Sequence, residues 1–401
     1  MEKLYLFACM AFIILLFFIL AMIYAVLIGS YKKRWNALPE YEPSAQNHAF
    51  AFISVIIAAR NEEQNIGELL DSLIVQHYPV DCYEVIVVDD HSTDNTWNIL
   101  EQYSAIHSNI HPVSLAQYLG KEKTIAYKKR AIEIAIAKSR GSLIVTTDAD
   151  CMAKPRWLSV INDFYQETGA KCIAAPVYIR PGKKLLSMFQ SLDFLILQGI
   201  TAAAVSGKLH MMCNGANFIY EKQAFNEVNG FEGIDRIPSG DDMLLMQKIY
   251  DRHPSKVQYL KSMDAIITTE AATGWRSFFM QRIRWASKSG HYQDKKIMYI
   301  LFAVYLFNFF FLLSAGFMFY LEKGWMLWFA FLLLKILIEF PFVASVARFF
   351  GSGRLLWYFP LMQPMHILYT IIAGWLGKFG SYEWKQRRVV MDIKSSNQNI
   401  K

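Results

Sequence analysis

The chain has 401 residues, 54% of them apolar, and a formal net charge of +7, enough for one sizeable soluble domain together with membrane segments. Much of the basic excess flanks apolar runs, at Lys32, Lys33 and Arg34, at Lys295 and Lys296, and in a tail with Lys385, Arg387 and Arg388, which is the pattern of a membrane protein rather than a nucleic-acid binder. The five cysteines (Cys9, Cys82, Cys151, Cys172 and Cys213) form no CxxC pair, so neither a disulfide frame nor a zinc site is indicated and a reducing compartment suits them.

Residues 4–29 carry no charged side chain, long enough for a helix to cross roughly 30 Å of hydrocarbon. The apolar core is too long for a cleaved signal peptide, and no small-residue cleavage site precedes the basic cluster, so residues 1–30 are expected to be a retained anchor. Lys32-Lys33-Arg34 follows directly, placing the N-terminus outside and the following residues in the cytoplasm. Residues 31–49 then read as a linker and residues 50–295 as the soluble domain.

Within that domain residues 52–59 (FISVIIAA) are a β-branched run that stops at Arg60-Asn61-Glu62-Glu63. A helix bearing Ile66, Leu69, Leu70, Leu73 and Ile74 follows. A second strand over 84–88 ends in Asp89-Asp90, and Ser92-Thr93-Asp94 caps a helix with Trp97, Ile99 and Leu100. A basic helix over about 124–138 precedes a strand at 142–146, which runs into Thr147-Asp148-Ala149-Asp150. Strands alternating with helices predict an α/β domain with a mostly parallel, Rossmann-like sheet, and ligands in such sheets bind beyond the carboxyl ends of the strands. All three strand ends here are polar and mostly acidic. The first turn lacks the glycines of a dinucleotide fingerprint, and no GxxxxGK[ST] motif is present.

Asp148 and Asp150, two apart at a strand end, can point to the same side. That pair suits Mg²⁺ or Mn²⁺, which takes one or two protein carboxylates together with substrate phosphate oxygens. Asp89 or Asp90 can accept hydrogen bonds from a nucleoside, with Asp90 favoured by strand alternation. Lys128, Lys129 and Arg130 form either a solvated basic face or a source of one cation for a diphosphate. Asp241 and Asp242 stand where a loop turns into a helix, as caps or with one of them as a base. Asn214-Gly215-Ala216-Asn217 is a small-residue turn that a sugar could approach closely. Gln281, Arg284 and Trp285 share one helical face, where an indole can support a sugar ring and arginine can grip phosphate; an amphipathic helix against the membrane is the alternative.

The order Ala58…Asn61-Glu62, Val87-Val88-Asp89-Asp90, Asp148-Ala149-Asp150, Gly240-Asp241-Asp242 and Gln281-Arg282-Ile283-Arg284-Trp285 resembles the family-2 glycosyltransferases. That family has the GT-A fold and includes cellulose, chitin and hyaluronan synthases and many lipid glycosyltransferases. The resemblance covers roughly residues 50–290. It implies a nucleotide-sugar donor, a UDP-sugar, with donor contacts from Glu62, Asp89 or Asp90 and Arg284; Ala59 and Lys129 are expected to add to them. It puts the diphosphate and a divalent cation at Asp148 and Asp150, the catalytic base at Asp242, and the acceptor side at Asp241, Gln281 and Trp285. The chain departs from the family at Gly240-Asp241-Asp242, where synthases often have Thr-Glu-Asp, and it has no clear gating-loop motif.

Residues 185–205 are apolar with Gln190, Asp193 and Gln198 interspersed, which predicts a helix at the membrane interface, with a buried core helix as the alternative. Uncharged runs at 297–321 and 355–377, and a run at 324–347 broken only by Lys335 and Glu339, make residues 296–380 the C-terminal membrane part. Lys335 and Glu339 lie one turn apart and are expected to form a structural ion pair. Three spans would leave the basic tail, residues 381–401, outside, so the run at 355–377, with Pro360, Gln363, Pro364 and His366, is expected to be re-entrant or broken. Three or four spans are few for a polymer channel. The expected product is therefore a glycosylated lipid made at a bacterial plasma membrane, with a processive polysaccharide synthase as the alternative and an inactive membrane scaffold as the reading from another class.

Overall fold

A computed structural model describes residues 2–43, 48–119, 125–288, 294–320, 324–379, 381–384 and 387–390. Part of the expected linker, Thr124 of the expected basic helix, and Lys385 of the tail lie outside these residues. The chain begins with α1 (Glu2–Ala37) and continues through β1 (Ile53–Ala59), α2 (Ile66–Ile74), β2 (Tyr83–Asp89), α3 (Thr96–Ile106), β3 (Ile110–Ser114), α4 (Ala116–Leu119), α5 (Tyr127–Lys138) and β4 (Leu143–Asp148). Then come β5 (Cys151–Met152), α6 (Trp157–Thr168), β6 (Cys172–Ala174), β7 (Val177–Ile179), α7 (Leu185–Ser206), β8 (Phe218–Glu221), α8 (Lys222–Glu227), α9 (Met243–Arg252), β9 (Val257–Tyr259) and β10 (Ile267–Thr269). Helices α10 (Trp275–Ser287), α11 (Lys295–Tyr320), α12 (Gly324–Phe349) and α13 (Phe359–Phe379) follow, with a hairpin of β11 (Ser381–Trp384) and β12 (Arg387–Val390). Ala37–Lys183 and Leu197–Ala271 form one compact unit, and the other described residues form a second, helical one.

In the α/β unit the main sheet has the order β3-β2-β1-β4-β8-β6-β9. Strands β1 to β4 are parallel, and β8 runs antiparallel between β4 and β6. The parallel strands are β-branched runs because both of their faces are covered: Ile53, Val55, Ile57, Val85, Val87, Ile144 and Val145 are all buried. Register decides where the site forms. Ala59 pairs with Asp89 and Ala58 with Asp148, so the acidic ends of β2 and β4 flank the end of β1. A smaller sheet, β5-β10-β7, begins directly after Asp150.

In the helical unit α1 exposes Phe12 (65%), Met22 (69%) and Val26 (69%), a surface suited to lipid rather than water. Among the described residues four helices are long and apolar enough to cross a membrane: α1 from Met10, α7, α11 over Lys295–Gly316, and α12. The most apolar stretch of α7 is 78% buried, the burial of a core helix rather than of one with a free face. The run at 355–377 is not broken as expected. It is a short 3₁₀ turn, Gly353–Tyr358, leading into the uninterrupted α13. Pro360 sits in the first turn of that helix, where its missing N–H leaves no bond unmade, whereas Pro364 lies inside the helix and leaves one i→i−4 bond unmade. Lys335 and Glu339 pair as expected, and Lys335 is sealed completely. Gln363 of α13 accepts from Lys335 (2.6 Å) and donates to Glu339 (2.6 Å), and Tyr24 of α1 donates to Glu339. Helices α10 and α13 touch backbone to backbone: a Cβ on Gly377 would stand 2.6 Å from that of Ala286.

Candidate active site

The turns after β1 and β2 interlock. Asn61 and His91 both have positive φ, 51° and 56°, a left-handed conformation uncommon for side-chain-bearing residues and enriched at functional turns. Asn61 donates its N–H to Ser92 Oγ (2.9 Å) and accepts from Thr93 N at its side-chain oxygen (2.8 Å). Arg60 binds the carbonyls of Asp90 and His91, and Asp90 N donates to the Ala59 carbonyl at 2.7 Å. Glu62 is buried in this turn and accepts from Asn65 Nδ2 (2.7 Å). The two aspartates differ. Asp90 Oδ1 meets His91 Nδ1 at 3.0 Å, whereas Asp89 accepts Ser92 N at Oδ2 while its Oδ1 is buried with no hydrogen-bond partner among the described residues. Asp89 thus keeps a buried acceptor oxygen that no described residue satisfies.

Asp148 ends β4 and is 38% exposed, and Asp150 is exposed. Lys128 of α5 reaches Asp148 Oδ1 at 2.7 Å and Asp241 Oδ2 at 3.4 Å. Burial alone would lower the Lys128 ammonium, but attraction to Asp148 and Asp241 outweighs it and holds the group well above its ordinary value. Next to the pair, burial and the charges of Asp150 and Asp148 push the Cys151 thiol up, so it stays a neutral thiol and no nucleophile. Lys129, expected as a donor contact, is buried. Its buried ammonium donates to the carbonyls of Ile234 (2.7 Å), Ile237 (2.6 Å) and Ser239 (3.1 Å), which uses its three protons. Neighbouring helix residues point about 100° apart, so one lysine faces the acidic strand end and the other the loop before Asp241.

Asp242 is buried and caps α9, accepting Met243 N at Oδ1 (2.7 Å) and Gly215 N at Oδ2 (3.0 Å). Asp241 beside it keeps a carboxylate that is 12% exposed, facing Lys128. Gly215 lies in their midst: a Cβ there would come within 3.5 Å of Asp241 Oδ2 and Lys128 Nζ, and within 3.6 Å of Asp242 Cβ. Thr146 of β4 bonds the Gly215 carbonyl (2.8 Å), so the small-residue turn is tied to the strand that ends in Asp148. Among the described residues no group of three or more His, Cys, Asp or Glu stands ready for a metal. Gln281, Arg284 and Trp285 lie on α10 of the helical unit, all half-buried. The buried residues of that segment are Arg282 and Ile283, which no motif position marks.

Residues 54–228 match the family model Glycosyl transferase family 2, and residues 143–376 match Glycosyl transferase family group 2. Among curated relatives, the probable glycosyltransferase YdaM of Bacillus subtilis is 26% identical over 240 residues, covering 58% of this chain and 54% of that one. A beta-monoglucosyldiacylglycerol synthase of Nostoc sp. is 25% identical over 264 residues, covering 64% and 52%. The chain spans about half the length of these two relatives. Among solved structures, the mannosyltransferase PcManGT from Pyrobaculum calidifontis, in complex with GDP-Man and Mn²⁺, superposes with a TM-score of 0.56 at 19% identity, over 91% of this chain and 96% of that one. That likeness is one of fold, the GT-A arrangement.

Proposed function

Because the chain belongs to glycosyltransferase family 2, we propose that it is a membrane-bound enzyme moving a sugar from a UDP-sugar to the hydroxyl of a lipid or lipid-linked acceptor, with inversion at the anomeric carbon. One observation carries the reading: the Lys128 ammonium touches both Asp148, in the family's donor motif, and Asp241, in its base motif. Donor end and base end of a displacement therefore lie within one side chain's reach. The diacylglycerol-glycosylating relatives support a lipid acceptor.

Asp242 is the base. Bonds from the Met243 and Gly215 backbone N–H groups fix the carboxylate that takes the acceptor proton. The deprotonated hydroxyl attacks the anomeric carbon as the bond to the diphosphate breaks. Asp89, with its spare buried oxygen, accepts from the nucleoside. Lys128 contributes positive charge beside the departing diphosphate. Asp148 and Asp150 would hold Mg²⁺ or Mn²⁺ together with donor oxygens, neutralising charge on the leaving group. Gln281, Arg284 and Trp285 keep the acceptor and diphosphate roles that the family resemblance implies.

The test uses membranes containing the full chain, screened with nucleotide sugars for diphosphate release and analysed for product. One sugar on a lipid is expected; a long polymer would favour the processive reading, and no product from any donor would leave an inactive scaffold. Asp242→Asn should abolish transfer with nucleotide binding retained, and an active variant would remove Asp242 from its role.

A further inference from the structure

Arg282 is 3% exposed, and its Nη2 lies 2.8 Å from Oδ2 of Asp193 on α7, also buried. Tyr369 of α13 donates its hydroxyl to Asp193 Oδ1 (2.6 Å), and His366 Nε2 stands 4.0 Å from the same oxygen. The guanidinium carbon sits 4.3 Å from the ring centroid of Trp285, 5.1 Å from that of Phe278 and 5.8 Å from that of Tyr369. Phe194 of α7 packs on the indole with centroids 5.6 Å apart. None of the three guanidinium nitrogens makes a hydrogen bond among the described residues. The group is therefore held by carboxylate charge and by aromatic faces, and in return it holds the face of Trp285.

Packing alone does not call for this arrangement, since a buried ion pair is commonly no better for stability than apolar side chains of equal volume. We propose that Asp193 and Arg282 are positioning residues for Trp285: the carboxylate fixes the guanidinium, the guanidinium fixes the plane of the indole, and the indole supports a ring of the acceptor. Neither residue touches substrate. The inference rests on the acceptor-side reading of Trp285 given above. It also makes a chemical distinction, because lysine at 282 would keep the charge but lose the flat face that stacks.

The experiment is a double-mutant cycle on the purified full chain in nanodiscs, with transfer measured against both acceptor and donor concentration. Arg282→Lys should raise the acceptor KM about tenfold and leave the donor KM unchanged, the size expected for losing one buried cation–π contact. In a Trp285→Phe background the same substitution should change the acceptor KM by less than about twofold, because the two side chains act as one unit. Asp193→Asn should repeat the Arg282→Lys pattern, which keeps the test usable if one variant misfolds. Equal effects of Arg282→Lys in both backgrounds, or a rise in donor KM, would overturn the positioning role. An unchanged acceptor KM in Trp285→Phe itself would instead overturn the acceptor-side reading beneath it.

Discussion

At the scale of single residues, α5 shows how two neighbouring lysines acquire unrelated work. Lys129 spends its charge on three carbonyls of the loop that leads to Asp241. Lys129→Met should cost about 2–4 kcal/mol in a denaturant melt, because buried carbonyls would lose their donor. Glu84 gives a pH prediction. Burial raises its pKa, but Ser54 and the backbone and side chain of Arg140 more than offset this and leave it below the ordinary value. A depressed carboxyl stabilises the fold above its unfolded pKa, about 4.3, and that contribution disappears as pH falls from there through the lower folded value. Acid unfolding of Glu84→Gln should thus be less steep below about pH 4.3 than that of the parent. Which lysine meets Asp148 was not legible in Lys128-Lys129-Arg130, because a run of like charges says nothing of how its helix is rotated. The end of β4 at Asp148 was legible, because an apolar run that stops at carboxylates marks where a strand ends.

At the scale of elements, β1, β2 and β4 could be read from sequence because parallel strands covered on both faces are unbroken β-branched runs. The helical unit was harder. Helix α7 meets the length and composition of a span yet is largely buried, and mean hydropathy does not distinguish protein from lipid as the apolar surroundings. The prolines of α13 suggested a break, yet Pro360 stands in the first turn and Pro364 is carried inside a continuous helix. Lys335, Glu339, Gln363 and Tyr24 join three helices. Lys335→Met should lower stability in detergent by about 3–5 kcal/mol, since it strands a buried carboxylate. Lys335→Met combined with Glu339→Met should recover much of that loss, and a double variant no better than the single one would show that the charge pair is not the source.

At the scale of the whole molecule, the exposed apolar surfaces of α1, α11 and α12 predict that the chain stays in the membrane pellet after an alkaline carbonate wash. Release into the supernatant would refute the anchors. Chelation should weaken nucleotide binding measured by calorimetry as well as stop transfer, with Mn²⁺ or Mg²⁺ restoring both, because the proposed cation would be shared between carboxylates and donor phosphate oxygens. The contact between α10 and α13 bears on how freely this sequence can vary. A Cβ at Gly377 collides with Ala286, whereas one at Gly316 of α11 meets nothing within 4 Å. In a saturation library selected for activity, position 377 should return glycine alone, while position 316 should also return alanine and serine. Two glycines that look alike in an apolar sequence would thus be separated by the substitutions each one survives.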